Sequence, residues 1–159
     1  MKSRVIQISL MVMLAIFAQV WVVSAQEQTG VEKGLVGSWD LEVTLRDCDT
    51  GTAFASFTAI NTYNQGGTMH QAAILPNPGV VPSGGHGVWS HLTGRHYSAA
   101  FRFFSFNLAG VFTDKVTVRS IISLEQSGDS YTSTDTAEIL LANGVLINAC
   151  STTTATRFR

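Results

Sequence analysis

The stretch VGSWDLEVTLRDC, Val36 to Cys48, alternates apolar and polar side chains almost without a slip and ends on a cysteine. Trp39, Leu41, Val43 and Leu45 fall on one face; Asp40, Glu42, Thr44 and Arg46 fall on the other. A period of two marks a half-buried β-strand, with one face to a core and one to water. It raises two questions: where the cysteine finds its partner, and what the tryptophan packs against.

Downstream, apolar and β-branched runs recur between turn signals, and no helical period interrupts them. Eight strands are predicted: Ser38–Asp47, Ala53–Tyr63, Thr68–Ile74, Gly87–Leu92, His96–Asn107, Phe112–Glu125, Ser130–Leu140 and Val145–Arg157. Nearly all connections are short and rich in residues that tolerate positive φ, such as Asp49-Thr50-Gly51 and Asn143-Gly144. Short links make sequence neighbours pair antiparallel, as a meander. One connection is long: LPNPGVVPSGG, Leu75 to Gly85, holds all three prolines and is expected to lie as an irregular loop across one end of the sheet.

Eight antiparallel strands leave two exposed edges unless the sheet closes. The spacing of four residues supports closure. In an antiparallel pairing of the first and last strands, Cys48 with Cys150 and Trp39 with Arg157 lie one diagonal step apart in register. Trp39 and Arg157 each lie on the face opposite their own strand's cysteine. One register therefore bonds Cys48 to Cys150 outside and brings Arg157 to Trp39 within. The expected fold is all-β, an eight-stranded antiparallel up-and-down β-barrel closed by its first and last strands.

Gly37-Ser38-Trp39 near the start of the first strand, with Arg157 on the last, resembles the lipocalin and wider calycin barrels, and the allene-oxide-cyclase-type barrels among bacterial secreted families. The resemblance implies structural roles for Gly37, Trp39 and Arg157, with the arginine stacked over the tryptophan to close the barrel base.

The barrel has a leader. Lys2 and Arg4 precede a mostly apolar run, Val5 to Val23, and Val23-Ser24-Ala25 offers small residues for a signal peptidase. The run is about long enough to span a bilayer, so a retained anchor is the competing reading; Gln7, Ser9 and Gln19 interrupt it and favour cleavage after Ala25. The expected organisation is a signal peptide over 1–25, a flexible leader over 26–36 and a single domain over 37–159, secreted or periplasmic, with no stable membrane span after cleavage.

The whole chain has 10 basic and 11 acidic side chains, and two of the basic ones lie in the expected signal peptide. No basic stripe remains to engage nucleic acid. Cys48 and Cys150 form an even pair in an exported chain, which reads as a disulfide. With no Cys or His at ligand spacing, neither a metal site nor a cofactor is expected.

The last strand turns small residues inward, Ala149, Ser151, Thr153 and Ala155, and so leaves room. Opposite, Tyr97, Phe101, Phe103, Val116, Val118 and Ile122 supply apolar bulk. Either these enclose a cavity for a small hydrophobic or amphipathic ligand, or the aromatics fill it. In YTSTDTAEI, Asp135 shares the inward face with Tyr131 and Ser133, near Ser151. A buried carboxylate is costly unless hydrogen-bonded or paired. Asp135 is thus a candidate general acid or base, a ligand's polar anchor, or simply a group satisfied by nearby hydroxyls. The expected ligand-binding set is Tyr97, Phe101, Phe103, Val116, Val118, Ser133, Asp135, Ser151 and Thr153.

His70, His86, His91 and His96 cluster on the middle strands, and His86 beside the long loop is a candidate acid–base partner. There is no Gly-x-Ser-x-Gly elbow, and PSGGHG is not a phosphate loop because no lysine follows. Phe104 and Phe106 should point outward, which makes His96–Asn107 a possible homo-oligomer contact. Three functions are compatible with these residues. They are a small-molecule carrier, a cyclase or isomerase using Asp135, Tyr131 or His86, and a structural module with a filled interior.

Overall fold

The computed structural model describes residues 34–159; the expected signal peptide and residues 26–33 of the expected leader lie outside them. Nine strands make up the described chain: β1 Gly37–Arg46, β2 Ala53–Tyr63, β3 Thr68–Ala73, β4 Val80–Pro82, β5 Gly85–Thr93, β6 His96–Asn107, β7 Phe112–Leu124, β8 Ser130–Leu141 and β9 Leu146–Arg157. All pairings are antiparallel. Eight strands, all but β4, close into a barrel in which β1 pairs with β9 and β6 with β7. In outline this closed antiparallel barrel is consistent with a lipocalin-like one.

Side-chain alternation explains why the chain closes. Along β8, Tyr131, Ser133 and Asp135 are buried, while Thr132, Thr134 and Thr136 between them are exposed. β1 repeats the pattern with Trp39, Leu41 and Val43 inside and Asp40 and Glu42 outside. The β1–β9 ladder sets Trp39 across from Arg157 and Arg46 across from Cys150. Cys48 lies just past the end of β1, and its bridge to Cys150 spans 5.2 Å between Cα atoms.

One end of the barrel is plugged. Leu35, Trp39, Tyr63, Met69, Ile122 and Tyr131 are buried to 2 % exposure or less, and the Trp39 and Tyr131 rings meet edge-on at 4.8 Å. Each such large side chain taken out of water contributes about 1.5–3 kcal/mol. Leu35 falls within the residues expected as a leader. It is fully buried, and its carbonyl accepts the Trp39 indole N–H at 2.9 Å, so the packed chain reaches back to that residue.

The Arg157 guanidinium lies 4.2 Å from the Trp39 ring centroid. It donates to the carbonyls of Gly34, Val36 and Gly128, every bond 2.9 Å or shorter. Gly37 makes this possible. It holds φ at +131°, and a β-carbon there would stand 2.7 Å from an Arg157 nitrogen. Desolvation at the base lowers the pKa of Arg157, while Asp129 opposes the shift.

The long connection differs from the expected irregular loop. Val80–Pro82 forms the short strand β4, paired with Ser105–Asn107 at the far end of β6, and Ser83 N–H then bonds to the Phe104 carbonyl. β6 is longer than β5, so its upper end lacks a partner on that side until β4 supplies one. Pro82 is tolerated because β4 is an edge. β5 accordingly starts at Gly85 rather than Gly87.

Candidate functional site

Above the plugged base the barrel is hollow. A cavity of about 300 Å³ runs up its interior to a rim formed by Leu75, Pro76, Asn77 and Val80 from the long connection. That volume lies at the small end of the range for ligand pockets. Alternation on every strand decides its chemistry. Val43 and Leu45 of β1, Phe57 of β2, Phe101 and Phe103 of β6, and Val116 and Val118 of β7 make one broad apolar wall. Ser133 and Asp135 of β8 with Ser151 and Thr153 of β9 make a polar strip.

Asp135 anchors that strip. It is 5 % exposed and accepts hydrogen bonds from Ser133 Oγ at 2.8 Å, Thr153 Oγ1 at 2.7 Å and, more loosely, Ser151 Oγ at 3.4 Å. The β8–β9 register produces this cradle by setting Ser133 across from Thr153 and Asp135 across from Ser151. Hydroxyl donation offsets the desolvation of a buried carboxylate. Among the described residues no Lys, Arg or His lines the cavity, and a second carboxylate, Asp114, stands in the wall.

The floor is a second polar group. Asn61 Nδ2 donates to Tyr63 Oη at 3.1 Å, and the Tyr63 and Tyr131 hydroxyls share a bond at 3.2 Å. Burial pushes the Tyr63 pKa up and the Tyr131 pKa well up, so both phenols stay protonated beyond the ordinary range. Asn61 is 4 % exposed, yet its side-chain oxygen has no hydrogen-bond partner among the described residues. A buried acceptor left unmade costs about 1–3 kcal/mol.

The structure therefore gathers Tyr131, Phe101, Phe103, Val116, Val118, Ser133, Asp135, Ser151 and Thr153 around one space. Two expected site residues stand apart from it. Tyr97 points inward near the base, where its ring tilts against Trp89 and His91 instead of lining the cavity. His86 lies on the outer face, exposed, with its ring 4.9 Å from that of His70. It is thus separated by the barrel wall from any reaction inside. The described residues contain no group of three side chains able to hold a metal ion. Phe104 and Phe106 point outward and both meet Phe112, at 6.2 and 6.3 Å.

Asn61 and Tyr63 were not among the expected site residues. The signal that could have found Asn61 is its place in AFASFTAINTY, a lone amide on the parity of Phe57, Ala59 and Tyr63. No family model, curated protein or solved structure matches the chain.

Proposed function

We propose that this chain is an exported carrier that holds one small apolar or amphipathic molecule inside its barrel. The observation that supports this best is that the interior combines a hollow, mostly apolar chamber with buried polar groups on one strip and on the floor. A barrel serving only as a structural module gains nothing from a buried carboxylate beside empty space. The Cys48–Cys150 bridge points to an oxidising compartment, and the expected signal peptide ending at Ala25 fits export to one. The lipocalin resemblance carried by Gly37, Trp39 and Arg157 points the same way, as fold-level analogy.

A catalytic reading keeps Asp135 and Tyr131 in one chamber as acid–base groups, as in a cyclase or isomerase. The carrier reading is preferred because three hydroxyls already hold Asp135. Native mass spectrometry of protein purified from its source tests the carrier directly, with a retained small molecule as the expected result. Ala137 lines the cavity, so Ala137→Phe should abolish retention while leaving the fold intact. Retention unchanged in that variant, or turnover of a bound compound that Asp135→Asn removes, would overturn the carrier.

A further inference from the structure

The floor of the cavity restricts the polar end of the ligand, given the carrier reading above. Asn61, Tyr63 and Tyr131 form a chain whose internal hydrogen bonds can be counted. One Asn61 N–H goes to Tyr63 Oη, and one phenolic hydrogen lies between the two tyrosines, whichever of them donates it. The other phenolic hydrogen, the second amide hydrogen and the Asn61 side-chain oxygen remain uncommitted. All three side chains line the cavity, with the Asn61 oxygen itself buried there, so donors and an acceptor lie side by side at its inner end.

Each kind of head group meets this floor differently. A carboxylate satisfies the donors but sets its charge against the Asn61 oxygen, in a chamber that already holds Asp135 and Asp114 and no lining cation among the described residues. An ammonium satisfies the oxygen and is drawn to the two carboxylates of the wall, but on the floor it turns its charge toward the phenolic and amide hydrogens. A neutral group carrying both a donor and an acceptor satisfies both. The rest of the molecule then lies along the wall of Phe101, Phe103, Val116 and Val118.

We infer that the cavity takes a small uncharged amphiphile with an alcohol or primary amide at its end, seated head-down on Asn61, Tyr63 and Tyr131.

The test is displacement of a neutral apolar fluorophore, N-phenyl-1-naphthylamine, from the disulfide-bonded protein by four probes of equal chain length: n-octanol, octanamide, octylammonium and octanoate. Octanol and octanamide should displace it at concentrations about tenfold below the two ions, the factor that one satisfied buried hydrogen bond confers. Asn61→Leu should erase that advantage, read against the fluorophore's own affinity for the variant. Replacing both Tyr63 and Tyr131 by phenylalanine removes every phenolic hydrogen from the floor but keeps the rings, and it should weaken octanol and octanamide alike even if the leucine variant fails to fold. Stronger displacement by either ion, or an unchanged octanol advantage in a folded variant, overturns the inference and leaves the carrier standing. Fluorophore binding that Ala137→Phe does not abolish, or no binding to the wild-type chain, removes the carrier and this inference together.

Discussion

Replacing Arg157 by methionine removes the clamp at the barrel base while keeping a long apolar stem over Trp39. The cost can be built from the partners it loses. Gly128 is buried, and its carbonyl accepts both Nε at 2.9 Å and Nη2 at 2.7 Å, so it is left without that charged donor. A hydrogen bond to a charged group is worth about 1.5–3 kcal/mol net. The carbonyls of Gly34 and Val36 belong to exposed residues and recover water, so they add little. The contact with the Trp39 ring adds about 1 kcal/mol. Together these give a loss of about 2.5–4 kcal/mol. Urea unfolding followed by tryptophan fluorescence should show a lower midpoint at an unchanged slope. Arg157→Lys should recover little of it, because a single ammonium cannot reach Gly34, Val36 and Gly128 while stacking on an indole. A methionine variant within 1 kcal/mol of wild type, or full rescue by lysine, would refute the clamp.

Gly37→Ala should destabilise in the same assay, through both its positive φ and its collision with Arg157, and combining it with Arg157→Met should cost less than the two separate losses added together. Reduction of the Cys48–Cys150 bridge, whose cysteines lie 102 residues apart, should cost up to about 4–5 kcal/mol in the chain-entropy picture, seen as a drop in melting temperature under reductant. Gly87→Ala should unfold the chain at ambient temperature as judged by circular dichroism, because a β-carbon there runs into the Ala100 carbonyl and the Phe101 backbone. The raised pKa values of Tyr63 and Tyr131 make their contribution to stability fully present below the ordinary phenol pKa of about 10. It is lost as pH climbs toward their folded values, so alkaline unfolding should move to higher pH when both are replaced by phenylalanine.

The path of the barrel was legible because each strand exposes one face, which leaves a period-two record in the residues themselves. Trp39, Arg157, Cys48 and Cys150 gave the closing register, since parity allows few ways to satisfy all four at once. Asp135 was legible as inward-facing for the same reason. What escaped was whatever depended on strands meeting at a distance. β4 is three residues beside two prolines, and only the unpaired upper end of β6 makes it a strand. Tyr97 shares its parity with Phe101, but parity says nothing of height along the barrel, and height puts it at the base. His86 was ranked by its nearness to the loop, whereas the pairing of His70 with His86 sets both rings outside. Asn61 acquires meaning only once Tyr63 and Tyr131 are seen to meet.

The barrel wall is not uniformly stitched. β6 and β7 run together from His96 to Phe106, but β3 and β5 join only where Thr68–Gln71 meets Gly85–Val88, with Gly87 offering no side chain to the seam. Thermal breathing should therefore gape first along that slit, and amide protons there should exchange with solvent earliest. A guest held in the chamber would then have a side door, and its residence time would follow the loosening of one short suture as much as the width of the rim above.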